Sequence, residues 1–266
     1  MGVSKTNKTY ASRYQTDVSV NQTNNTGFDS TTRKLCSGDG ADSSMSASVD
    51  VFSVQPEIND TTGAFLVKNQ GGSNILAVNT TDSKVLIGAS QVAANTQYAY
   101  FGVSTGLSLS AVAGTHYLVP FSMTLSATAA VAFGAGTNPL TSYDISANNN
   151  GDDITPMLWY VPDAITVDAV HLLVGGDASS GDTVNIHLLS MAIDKGAGAG
   201  KGDLSDGTVI AGGADIASLG YENIIYQTTS PSSADVAAGR VILATFESAG
   251  TNSDYAVNII VKYHIR

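Results

Sequence analysis

Between Val49 and Ala89 the chain passes through four short apolar segments, VDVFSV, AFLVKN, ILAVNT and KVLIGA, separated by NDTTG, NQGGSN and NTTDS. Each segment is too short for a helix, and the Gly, Asn and Asp between them are the residues that tight turns select. The stretch therefore reads as successive short strands. Their spacing of roughly 10 residues suits a stacked β architecture, in which each repeat buries its apolar face on a neighbour. A ribbon this thin has two faces and too little material inside one chain to cover both. Three copies around an axis would bury Phe52, Phe65, Leu76, Val78 and Ile87 against one another. Those five residues are the expected oligomer core of a trimeric, β-prism-like stem over residues 49–99. The alternative is an ordinary β-meander packed on a later part of the same chain.

Residues 89–100 (ASQVAANTQYAY) fit a short helix or a connecting loop. Apolar runs then recur at 117–125, 127–133, 156–161, 165–174, 183–193, 222–228, 240–246 and 255–265. In the last of these, Val257, Ile259, Val261 and Tyr263 alternate with Asn258, Ile260, Lys262 and His264, the period-2 pattern of an antiparallel strand with one face inward. Some eight strands with no long helix among them predict an all-β fold. The expected form is an antiparallel β-sandwich of jelly-roll type over residues 100–266, with a β-barrel a near alternative. Two glycine-rich loops, 134–153 and 194–207, are long enough to carry function or to be pinned by a partner.

Before the repeats, residues 1–48 are polar, with Val18, Val20, Phe28 and Leu35 as the main apolar exceptions beside a few tyrosines. Such a segment cannot offset its own ordering entropy. It is expected to be an extended arm that packs on other chains.

Charged residues make up 13% of the chain against 43% hydrophobic, so Ser, Thr, Asn and Gly must cover the surface. That cover suits strands and turns better than helices. A formal net charge of −11 works against nucleic acid and anionic membranes, both of which require a basic surface. Cys36 is the sole cysteine, so no intrachain disulfide forms and folding in the cytosol is expected. No run approaches the roughly 20 apolar residues of a membrane span, and the first twenty residues lack an apolar signal core. Met1, Gly2 and Thr6 fit the loose myristoylation pattern, which Ser/Thr-rich starts meet by chance. Sequons begin at Asn7, Asn21, Asn24, Asn59 and Asn79, as an Asn/Thr-rich composition produces unaided.

Motifs that could carry chemistry fail on context. Gly102-Val103-Ser104-Thr105-Gly106 matches the letters of a nucleophile elbow, but that elbow needs a strand-to-helix turn and LSLSAVAG follows instead. Gly196 to Gly202 resembles a phosphate-cradling loop, yet Gly202 stands where a Ser or Thr should follow Lys201. Asp152 and Asp153 after Asn148 to Asn150, and Asp203 with Asp206, could offer oxygens to calcium, although turns select the same residues. His116, His171, His187 and His264 lie singly on expected strands without zinc-ligand spacing, with His171 and His187 as candidate cross-strand neighbours. Glu57, Glu222 and Glu247 are the only glutamates, a thin supply for paired acid/base carboxylates. Trp159 and Tyr160 read as core residues of a strand between prolines, with an aromatic ligand platform as the alternative. No catalytic residue, metal or cofactor is expected, and the chain is read as a non-enzyme.

The order of a polar arm, then AFLVKNQGGSNILAVNTTDSKVLIGAS, then a strand-rich region ending VNIIVKYHIR, resembles fibre, spike and other structural proteins of tailed phages, marine phages especially. The stretch PMLWYVPDAITVDAVHLLVGGDASSGDTVNIHLLSMAID adds to the likeness. The resemblance is one of style and brings no functional residue with it. It implies a virion surface protein assembled in the host cytoplasm, a homotrimer attached to other virion proteins through its arm, with residues 100–266 displayed. No long shaft or collagen-like repeat is present, so a short fibre, a spike and a capsid decoration protein fit equally. A host receptor or surface glycan is the further expected partner, held by the 134–153 and 194–207 loops. A polysaccharide-cleaving enzyme is the remaining alternative.

Overall fold

The computed structural model describes residues 18–20, 28–37, 41–90, 92–102, 107–108, 114–121, 131–143, 154–177, 183–194, 203–217, 223–249 and 254–266. Its regular structure is β throughout apart from two single 3-10 turns, Pro139–Thr141 and Thr155–Met157. The chain divides into two compact units, Met1–Ala94 and Asn95–Arg266.

The first unit holds two four-stranded antiparallel meanders. Strands β1 (Val18–Val20), β2 (Arg33–Ser37), β3 (Asp42–Ala47) and β4 (Phe52–Val54) pair in chain order. The arm expected over residues 1–48 is thus partly sheet, because β2 and β3 pair with each other and β3 pairs with β4 across the expected boundary. Ser- and Thr-rich segments satisfy their backbone groups in a ladder without needing large apolar side chains. Arg33 grips Asp29 with both guanidinium nitrogens, at 2.5 and 2.8 Å, and holds that carboxyl down to about 2.

Strands β5 (Phe65–Lys68), β6 (Asn74–Asn79), β7 (Lys84–Ile87) and β8 (Val92–Ala93) form the second meander. Its turns are fixed by their own side chains. Asn69 Oδ1 accepts from Ser73 N at 2.9 Å, while Gly72 takes φ +84°, where a side chain is strained. In the next turn Asn79 Oδ1 accepts from Asp82 N at 3.0 Å, and its Nδ2 donates to Asp82 Oδ2 at 2.8 Å.

The second unit is two antiparallel sheets. Its strands are β9 (Thr96–Gly102), β10 (Leu107–Ser108), β11 (Thr115–Val119), β12 (Ala132–Ala135), β13 (Trp159–Val161), β14 (Ile165–Asp177) and β15 (Thr183–Ile193). They continue as β16 (Leu204–Gly212), β17 (Ile216–Ala217), β18 (Asn223–Thr229), β19 (Asp235–Val236), β20 (Arg240–Ser248) and β21 (Asp254–Ile265). One sheet runs β10-β21-β14-β18, with β9 also on β21 and β19 on β14; the other runs β12-β11-β20-β15-β16, with β13 on β20 and β17 on β15. Residues 89–100, read as helix or loop, enter β8 and β9 instead.

Numbering β9, β11, β14, β15, β16, β18, β20 and β21 from first to eighth, one sheet reads first, eighth, third, sixth. The other reads second, seventh, fourth, fifth. A shared core that includes Phe101, Val170, Leu172, Ile186, Phe246 and Ile259 joins the sheets face to face. The extra residue at Asp168 bulges β14 against β21, so that Val167 and Val170 both point inward. A second core lies on the other face of the seven-stranded sheet, where Leu118, Leu189, Met191 and Leu243 meet Ile154 and Met157. Strand β20 is therefore buried on both faces, which is why RVILATFES reads as a continuous apolar run rather than an alternation.

Candidate functional site

The meander β5 to β8 carries the residues singled out from the sequence. Its register sets Phe65 beside Val78 and Val78 beside Val85, and in the next row Val67, Leu76, Ile87 and Val92 side by side. Directly paired residues project from the same face of a sheet. Phe65, Leu76, Val78 and Ile87 thus share one surface with Val67, Val85 and Val92, and Asn74, paired with Lys68 past a register shift, borders it. Phe65, Val67, Val85 and Ile87 are each more than 40% exposed, while Leu76 and Val78 are half-buried. On the opposite face Ala77 is buried and Asn79 is locked to Asp82. Phe52 does not join this group: it stands on β4 in the other meander, 62% exposed. The alternation of side chains along a strand puts Val67 on the face of Phe65 and Val85 on that of Ile87, whereas Val92 joins them only through the β7–β8 pairing.

Such a surface has one chemical property, the free energy released when it leaves water, about 1.5–3 kcal/mol for each large aliphatic or aromatic side chain fully buried. It offers no group to polarise, protonate or coordinate a ligand.

The titratable residues of the second unit gather elsewhere. His116 on β11 and His187 on β15 are both almost fully buried, with rings edge to face at 4.9 Å. The Gly136 carbonyl can only accept, so His116 Nε2 carries its proton and donates across 2.9 Å, and the Thr245 hydroxyl donates to Nδ1 at 3.2 Å. The neutral imidazole is thereby satisfied at both nitrogens. Burial pushes the pKa of His116 down. His187 falls to about 4, through burial first and then repulsion from a charged His116, against a backbone hydrogen bond at Thr137. Gly212 is required beside it, since a Cβ there would lie 2.1 Å from the Ile186 carbonyl oxygen.

At the same end of the sheet Asn185 pairs with Glu247 across β15 and β20, and Asn185 Nδ2 donates to Asp215 at 2.8 Å. Gly114 N donates to Glu247 Oε1 at 3.1 Å; burial raises the pKa of this carboxyl, Gly114 lowers it, and Asp215 raises it again. Among the described residues no three His, Cys, Asp or Glu side chains converge as metal ligands. The cluster is a buried polar seam that stores a dependence on pH.

The expected neighbours His171 and His187 are not neighbours. His171 lies on the six-stranded sheet and His187 on the seven-stranded one, and His187 meets His116 instead. Sequence separation hid this contact, because β11 and β15 reach each other only through β20. His264 is hydrogen-bonded to Asp168 at 3.0 Å. Trp159 is buried, stacked on Phe121 at 5.8 Å and tilted against Tyr263, whereas Tyr160 faces outward. Asp206 spends its carboxylate on Arg240 at 2.9 Å, which places an arginine where a cation was considered. Ser104, residues 196–202, Asn148 to Asp153 and Glu222 lie outside the described residues, as does most of the 194–207 loop.

Taken together, the fold and these surfaces define an all-β protein of antiparallel sheets with an uncovered apolar face. No protein-family model matches the chain, and no curated protein is significantly similar to it.

Proposed function

We propose that this chain is a homo-oligomeric structural protein of a bacteriophage particle surface, a fibre, spike or decoration protein and not an enzyme. The β5 to β8 meander, in a stem that ends at the unit boundary after Ala94 rather than at residue 99, forms its trimeric, prism-like core, the segment near 1–48 attaches it to other virion proteins, and the second unit is displayed outward. The single observation that carries this reading is the apolar face formed by Phe65, Val67, Leu76, Val78, Val85, Ile87 and Val92. Left in water it is an aggregation hazard, and closing on sister copies resolves it.

A jelly-roll connectivity for the displayed unit is supported by the strand orders first-eighth-third-sixth and second-seventh-fourth-fifth. That architecture is common in viral shell and lectin domains. Phage origin is supported by the resemblance of the 64–89 and 156–193 stretches to phage structural proteins.

Sedimentation of the full-length protein tests the proposal. The wild type is expected to run at three times the chain mass, and Leu76→Asp as a monomer, because the substitution places a charge in the buried seam. A wild type that stays monomeric and folded at high concentration would overturn the stem.

A further inference from the structure

Among the described residues of the second unit, the outer face of the six-stranded sheet carries exposed side chains, and it differs in kind from the stem face. One row runs across four strands as Tyr100, Ile260, His171 and Thr228. In the neighbouring rows Tyr98 stands beside Lys262, and Leu173 beside Tyr226. Tyr98, Tyr100 and Tyr226 are 52%, 47% and 66% exposed, while Ala99 and Phe101, next to Tyr100, and Leu172, between His171 and Leu173, point into the core. Strand spacing sets the two tyrosine edges about 14 Å apart.

The edge at β18 is pre-arranged. Tyr226 Oη is 2.7 Å from Thr228 Oγ1 and 3.3 Å from His171 Nδ1, and His171 Nδ1 is 2.9 Å from Thr228 Oγ1. The His171 and Tyr226 rings are nearly parallel, 14° apart.

Three features decide what covers this face. Its area is roughly 400 Å², from four strands and three rows at standard spacings, which is about half of what each partner of a stable protein pair buries. Every central row also mixes an aromatic or aliphatic side chain with a hydroxyl, imidazole or ammonium group, unlike the uniformly apolar stem face. The charge is unusual as well. Lys262 is the one charged side chain in these rows, and Asp168 at the boundary is tied to His264, in a chain of net charge −11. The net charge opposes a second copy and any polyanion alike at long range, so a preference for a carboxylate-bearing ligand rests on local pairing with Lys262 alone.

We propose that this sheet face binds an extended acidic glycan. Its sugar rings lay their C–H faces on Tyr98, Tyr100 and Tyr226, their hydroxyls bond His171 and Thr228, and a uronate carboxylate pairs with Lys262. The inference deepens the display reading by moving adhesion from the loops to the sheet, and it rests on that reading for its biological setting.

The test is a printed array of neutral and uronic-acid oligosaccharides probed with the full-length protein. The wild type is expected to bind uronic-acid chains, the double variant Tyr100→Ala/Tyr226→Ala to lose at least tenfold in affinity, and Lys262→Gln to lose the preference for acidic over neutral sugars. Trp159 fluorescence confirms that each variant is folded. An array that retains no wild-type protein, equal retention of the double variant, or a double variant that changes the sedimenting mass would each overturn the proposal, the last by making the face a subunit contact. Leu76→Asp separates this inference from the stem: its monomer is expected to keep the wild-type affinity per site.

Discussion

The two units are made of the same kind of sequence and solve opposite problems. Among the described residues, 36 apolar side chains are buried, and only Cys36 and Ala77 belong to the first unit. The second unit closes two sheets over one core and covers the far side of one of them with a second core. The first spends its apolar residues on open faces. Strand formation is therefore no guide to self-sufficiency: turns and alternation make a sheet, and only a second layer makes a core.

The sharpest way to break this contrast is to damage the core of the second unit. Leu188→Ala, at a fully buried position between the sheets, is expected to cost about 2–5 kcal/mol. Trp159 is the only tryptophan and belongs to this unit, so urea titration followed by its fluorescence reads that loss directly. A change below 1 kcal/mol would mean that the two sheets do not share a tight interior.

Acid sharpens the contrast next. Above pH 6.5 His187 is neutral whether folded or unfolded, and its burial costs nothing in protonation. As pH falls below 6.5 the unfolded chain takes up the proton first, so stability declines until the folded pKa near 4, where the loss levels at about 3 kcal/mol. His116, shifted in the same direction, adds to the decline. Glu247 works the other way, because its raised pKa lets the folded state bind a proton first and returns part of the loss. Stability of the wild type at pH 7 and 4.5, compared with His187→Gln, tests the assignment. Parallel pH profiles in the two proteins would remove His187 as the sensor.

The smallest effect belongs to the stem. Asn79→Ala removes the two hydrogen bonds to Asp82 that close the β6–β7 turn and is expected to cost about 1 kcal/mol. The loss should appear in dissociation of the proposed oligomer on dilution and leave the Trp159 transition where it was. A shift in that transition would show that the two units do not unfold separately.

Much of this was legible from local pattern. The long strands β14, β15, β20 and β21 coincide with apolar runs, and the β5 to β7 meander with repeated runs between turn residues. The first meander was missed because β2 and β3 hold few large side chains and gain most of their order from pairing. The first four residues of β16, Leu204 to Gly207, were read as the end of the glycine-rich 194–207 loop. Asp206 does adopt φ +50°, the left-handed backbone of a turn residue. The histidine pair and the tyrosine face were invisible for another reason. Both depend on which strands lie side by side, and that is decided by closure of the whole sandwich.

That closure has a kinetic side. In the second unit β9 pairs with β21, where Gln97 and Tyr263 touch across 166 positions of chain. The β5 to β8 meander joins only consecutive strands through short turns. Hairpins of that kind form within microseconds, whereas a sandwich whose outermost partners are so distant in sequence belongs to the milliseconds-to-seconds class. In the proposed oligomer, sister chains would accordingly meet at the β5 to β8 meander while their larger units are still searching for register, which would make early association a hazard and a route to symmetric assembly in the same stroke.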